Sequence, residues 1–167
     1  LKIIRGIAFF ITLLLPGLYL AVTIYHRELL PTELLYSIVA SRVNVPFPIL
    51  VEILIMELSF ELIREAGLRV PSPLGSTVGI VGALVLGEAA VSANIVSPIL
   101  IIIVAITAIS SFAIPDFSLG FHLRISRFAY TLLGSLCGFL GIGVGIFIHL
   151  ITLCSLKSFG VPYLSPY

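Results

Sequence analysis

Six ionisable side chains stand where an apolar sequence would hold none. Glu52, Glu57, Glu61, Arg64 and Glu65 lie within residues 49–66, ILVEILIMELSFELIREA, and Glu88 interrupts a second apolar run, residues 75–93. A carboxylate in hydrocarbon is costly and survives by pairing, by protonation or by facing water. Repeated around an oligomer axis, one glutamate becomes an acidic ring that favours cations. These six residues are therefore candidates for a pore lining or a buried charge network. At about 100° per residue, Glu57, Glu61, Arg64 and Glu65 share an arc about 100° wide, with Glu52 nearly opposite Glu61. Glu61 and Arg64, three apart, can compensate each other.

Other chemistry has no support. There is no G-x-S-x-G and no H-E-x-x-H. His26, His122 and His149 fall in three segments with no ligand spacing. Cys137 and Cys154, if on one helix, stand about 25 Å apart, too far to bridge, and read as buried apolar thiols. Gly141-Ile-Gly-Val-Gly145 superficially resembles a phosphate loop but lacks the preceding strand and the acidic partner. The chain reads as a non-enzyme, with no catalytic, metal or cofactor-binding residue and no cofactor.

The elements that must hold these charges are lipid-embedded helices. Of 167 residues, 59% are hydrophobic and 10% charged, and the mean hydropathy is +1.23. A soluble domain this small needs far more polar surface. A net charge of +1 gives no footprint for nucleic acid. The expected fold class is all-α: a polytopic transmembrane helix bundle of about five membrane segments plus short interfacial helices. Residue 1 is Leu, so residues 1–167 read as a transmembrane domain excerpted from a longer chain.

Four runs are long and apolar enough to span a bilayer, which takes about 20 residues: 6–25, 75–93, 97–114 and 128–156. Residues 48–66 form the fifth and most difficult span. Its eleven strongly apolar residues favour insertion by roughly 3–6 kcal/mol, and three mid-segment glutamates oppose it by roughly 8–10. This helix must pack against others, face water or lie partly outside the bilayer. With five spans, the positive-inside rule puts Lys2, Arg5, Arg64, Arg69, Arg124 and Arg127 on the cytoplasmic side, and Arg27, Arg42 and Lys157 on the other. Four spans with one re-entrant or interfacial helix would reverse the C-terminal side.

Between the spans, residues 31–42 read as a short amphipathic helix opened by Pro31. Residues 116–128 alternate apolar and polar, which a lone strand cannot sustain in lipid, so an interfacial helix or an extended linker is expected there. The tail, residues 159–167, reads as an interfacial anchor with Phe159, Tyr163 and Tyr167. Pro16 should kink the first span, and Pro46, Pro48, Pro71 and Pro73 form stiff elbows; all five are candidate hinges. Gly134, Gly138, Gly141 and Gly145 fall within a sector about 60° wide, and Gly75, Gly79 and Gly82 form a second stripe. Small-residue stripes allow close helix approach, within or between subunits. Glu88 lies about 220° from Gly75 and so faces a different neighbour or a cavity.

Several blocks resemble a known family. LPGLYLAVTIYH (15–26), PTELLYSIVASR (31–42), VPFPILVEILIMELSFELIREAGLRVPSPLG (45–75), VGIVGALVLGEAAV (78–91), SSFAIPDFSL (110–119) and SFGVPYLSP (158–166) resemble the membrane domain of GerA-type A subunits, the spore germination receptor proteins of endospore-forming bacteria. The SpoVAF-type paralogue is equally similar over this segment. The resemblance implies a multi-pass protein of the spore inner membrane that lacks, here, the family's soluble N-terminal domain. It implies B and C receptor subunits or an accessory membrane partner, a homo-oligomer in membrane lipid, and permeating ions through a germinant-gated channel. Positions matching family motifs are Pro16, Gly17, Pro31, Glu33, Pro46, Pro48, Glu52, Glu57, Glu61, Glu65 and Gly75. The rivals are a passive scaffold anchoring receptor subunits and a secondary transporter, which would need inverted repeats and broken helices.

Overall fold

Proline and asparagine set most of the helix boundaries. Pro31 caps α2 (Thr32–Ser41), and the Pro48 carbonyl accepts the Glu52 N–H in the first turn of α3 (Ile49–Arg69). At the end of α4 (Leu74–Ser92), Asn94 takes the left-handed backbone, φ 55°, which asparagine tolerates better than most residues. Pro98 then opens α5 (Pro98–Phe112) at its first turn, where no N–H is needed. The first helix, α1 (Lys2–Ile24), runs through Pro16 as one element, with Pro16 and Gly17 buried. The last, α6, covers Phe117–Ser155. This computed structural model describes residues 2–69, 74–114, 117–155, 157–158 and 161–162. Lys157–Ser158 and Val161–Pro162 pair in a two-residue antiparallel ladder. Pro71 and Pro73 lie outside the described residues, as do Phe159, Tyr163 and Tyr167 of the expected anchor.

The break falls at Gly138 instead. Its φ of 60° and ψ of −137° interrupt α6, a conformation glycine adopts without the penalty of a Cβ. As one straight helix, His122 and His149 would stand about 40 Å apart; their rings are 5.9 Å apart. A Cβ on Gly145 would meet Tyr130 and Leu133 at 3.0 Å. So α6 is a helical hairpin, with residues 117–137 as one arm and 139–155 as the other. The expectation of a single last span over residues 128–156 is corrected accordingly. The alternating segment before it is the first half of the outgoing arm, a helix and not a linker. Among the described residues, two helical stretches are long and apolar enough to cross a membrane, Lys2–Ile24 and, counted across its turn, Ser118–Ser155, with Val81–Ser92 and Pro98–Phe112 as shorter apolar helices. The other expected spans do not meet that measure of length and charge: α3 carries many charges, and α4 and α5 are short in apolar length.

Helix α1 is the central post, packed mainly on α6 and α5, while α3 packs on α4 and α5. One apolar core joins Tyr19, Leu20, Ile53, Met56, Val96, Leu100 and Val104 across α1, α3 and α5. A second joins Leu13, Ala21, Leu123, Tyr130 and Ile142 between α1 and the hairpin. Thr12, Thr23, Thr107 and Thr131 are buried there, each hydroxyl donating to the carbonyl four residues back. That pairing satisfies a hydroxyl without any partner helix.

The last glycine stripe is consumed inside the chain. A Cβ on Gly134 would stand 2.5 Å from the Gly17 carbonyl oxygen, and one on Gly17 would stand 2.7 Å from that of Tyr130. Backbone therefore touches backbone where α1 crosses α6. Gly141 would collide with the Leu133 carbonyl across the hairpin. The single glycine face drawn from sequence does not exist, since Gly138 is the turn and divides it. Gly82 meets only the Ile63 side chain and Gly79 has nothing within 4 Å; Gly75 lies in α4.

Candidate functional site: buried ion pairs along α3

Three of the predicted glutamates point inward from α3, to two separate clusters. Glu52, in the first turn, is fully buried. One of its oxygens receives Arg42 Nε at 3.1 Å and Arg42 Nη2 at 2.6 Å. The other accepts the backbone N–H of Ser97 at 3.1 Å, at the entrance to α5. Arg42 also donates to the Phe47 carbonyl at 3.2 Å, across the Pro46–Pro48 elbow. Both carboxylate oxygens are thus satisfied, and the pair ties the α2–α3 elbow to the start of α5. Charge-assisted bonds of this kind are the strong ones.

One and two turns further on, Glu57 and Glu61 meet the hairpin. Glu57 is fully buried and faces Arg127, itself 4% exposed in its side chain, at 3.3 Å. Glu61 takes Arg127 at 3.2 Å, Arg124 at 3.3 Å and Arg64 at 3.7 Å. Arg64 reaches away to α5, donating to the Ala108 carbonyl at 3.2 Å and to the Ser111 hydroxyl. Its guanidinium also lies 4.3 Å above the Phe112 ring. Two carboxylates and three guanidiniums therefore join α3, α5 and α6. Their bonding is incomplete: neither Glu57 oxygen nor Arg127 Nε makes a hydrogen bond among the described residues. A buried polar group left without one is expensive.

The remaining candidates stand apart. Glu65 pairs with Arg69 at 2.9 Å on the surface. Glu88 is exposed on α4, away from both clusters. Cys137 and Cys154 are free and exposed, not buried as the sequence implied. Among the described residues no group of three His, Cys, Asp or Glu could hold a metal ion.

Sequence reasoning found the acids and missed their partners. The local pair Glu61–Arg64 was legible at i and i+3. Arg42, Arg124 and Arg127 were read instead as loop charges that set orientation. With these three held in ion pairs, the positive-inside count falls from six against three to four against two. Tyr25 was also missed. Its hydroxyl reaches the carbonyls of Ser135 and Leu136, at 3.0 and 2.7 Å, which the break at Gly138 leaves without helical partners. His26 stacks on Phe139 just beyond the turn, ring centroids 4.7 Å apart.

Comparison with known proteins places this arrangement. The family model described as Bacillus/Clostridium GerA spore germination protein matches residues 1–167. Spore germination protein KA of Bacillus subtilis (strain 168) is 52% identical over 166 residues, 99% of this chain and 30% of that protein. An uncharacterized membrane protein, YfkQ, of the same organism is 49% identical over 162 residues, 97% of this chain and 32% of that protein. Spore germination protein GerLA of Bacillus cereus is 46% identical over 166 residues, 99% of this chain and 34% of that protein. The chain thus spans about a third of the length of the curated relatives it matches. No solved structure matches it.

Proposed function

The chain belongs to the GerA family of spore germination proteins, and from that premise we propose that it is the membrane part of a germinant-gated ion channel in the spore inner membrane. In this reading several helices cross the bilayer and copies of the chain oligomerise in lipid. Receptor B and C subunits, or an accessory membrane partner, assemble with them. The observation that carries the reading is the Glu57–Glu61–Arg124–Arg127 cluster, four ionisable groups held between apolar helices. Groups so placed mark ion paths or paired charges that move. Exposed apolar side chains support the membrane setting: Leu84 is 69% exposed, Ile109 69% and Leu140 80%. Subunit contact falls to the open Gly79 side of α4, since the last glycine stripe is occupied within the chain.

Ion release from liposomes holding the purified full-length assembly, with its partner subunits, tests the reading. Release above that of empty liposomes is expected on adding germinant. None, from correctly inserted protein, would leave the scaffold reading in its place. One observation favours a transporter as the second reading: the non-helical backbone at Gly138, between the two arms of α6, is of the kind that lines transporter sites. Exchange of labelled solute against unlabelled solute across the same liposomes separates a transporter from a channel.

A further inference from the structure

Where α1 ends and α2 begins, a cavity of about 330 Å³ is lined by Thr23, Arg27, Leu35, Ile38, Arg42 and Val43, among others. Pockets that take small ligands are of this size, mostly apolar, with a few placed polar groups. Two arginines line it, and like charges repel each other. Glu52 neutralises Arg42 from behind, buried on the α3 side. Arg27 donates Nε to the Thr23 carbonyl at 2.8 Å, and it is exposed where it lines the cavity. No carboxylate among the described residues pairs with Arg27, and neither Glu28 nor Glu33 lines the space. Leu35, Ile38, Val39, Val43 and Ile49 give it an aliphatic lining. Leu34, Tyr36 and Val39 leave α2 exposed and apolar beside it.

We propose that this cavity binds an anion carrying an aliphatic body, its charged head on Arg27 and Arg42 and its chain along α2. Arginine forks suit phosphate and carboxylate alike. The head can come from an anionic membrane lipid or from a soluble carboxylate. The lipid source rests on the membrane setting proposed above; the site itself does not depend on ion conduction. An amphipathic helix with a cationic pocket at its root is suited to a headgroup at the bilayer surface.

Thermal unfolding of the full-length protein in a neutral maltoside detergent tests this, with three probes titrated in. These are dioleoylphosphatidylglycerol, dioleoylphosphatidylcholine and hexanoate. Stabilisation by phosphatidylglycerol alone identifies a lipid site; stabilisation by hexanoate as well identifies a soluble anion. In either case Arg27→Gln should weaken the effective probe by about tenfold or more, the loss of a charged hydrogen bond, while Arg27→Lys keeps most of it. Val39→Trp, which fills the cavity and leaves both charges in place, should abolish binding even if the Arg27→Gln protein proves unstable. No stabilisation by any probe overturns the proposal, as does equal stabilisation by all three or a response unchanged in both Arg27→Gln and Val39→Trp.

Discussion

The two acidic clusters on α3 differ in how fully their charges are answered. Glu52 has both oxygens engaged, by Arg42 and by the Ser97 N–H, and Arg42 has a further carbonyl. About one and a half turns away Glu57 is equally buried, yet neither of its oxygens makes a hydrogen bond. The first is a clamp: it joins an elbow to a helix start, with both carboxylate oxygens engaged. The second is a junction where three helices meet through longer contacts and Glu61 is shared among three arginines. Breaking one partner of a satisfied buried pair is costly. A half-satisfied cluster has less to lose on rearranging. On the proposed function, the two ends of one helix divide the work: the Glu52 end fixes it and the Glu57–Glu61 end is the part to change.

That contrast can be broken most forcefully at Arg42. Arg42→Met would strand the buried Glu52 and should lower stability by about 3–5 kcal/mol, read by denaturant unfolding of the full-length protein in detergent. A near-native midpoint would mean that Glu52 is no clamp. Gly134→Ala sharpens the contrast from the packing side, because its methyl would press on the Gly17 backbone. It should cost about 1–3 kcal/mol and displace the hairpin arm that carries Arg127. Unfolding should then be less sensitive to loss of Glu57 in that background, with the effect of losing Arg42 unchanged. Glu57→Gln should cost less than about 1 kcal/mol, since Arg127 keeps Glu61 and no hydrogen bond to Glu57 is lost. A loss as large as that of Arg42→Met would erase the distinction. Removal of the exposed Glu65–Arg69 pair should change stability by about 0.5 kcal/mol or less, the baseline for a pair that does neither job.

Much of this was legible before any coordinates. Runs of apolar residues between proline elbows gave α1, α3, α4 and α5 within a few residues. The excess of carboxylates in residues 48–66 gave the site, because hydrocarbon makes each one conspicuous. Their partners were not legible, since Glu57 and Arg127 are far apart in sequence and nothing local couples them. The hairpin was hidden for a different reason. Its turn is a single glycine in a continuous apolar run, without the polar or proline signals that usually mark a turn. Pro16, by contrast, carries the usual proline signal and lies within the single element α1. The histidines show the consequence: His122 and His149 looked unrelated along the chain and lie ring to ring across the hairpin. The glycine stripe misled for the same reason, because a helical wheel assumes one continuous helix.

If the α3–hairpin cluster gates ion passage, its charges must matter to conduction and those of the surface Glu65–Arg69 pair must not. Ion release from proteoliposomes carrying the full-length assembly, compared among wild type, Glu57→Gln, Glu61→Gln and Glu65→Gln at matched protein density, addresses it directly. Altered release is expected in the first two variants and wild-type release in Glu65→Gln. Release indistinguishable from wild type in all three, with the protein folded and inserted, would contradict it.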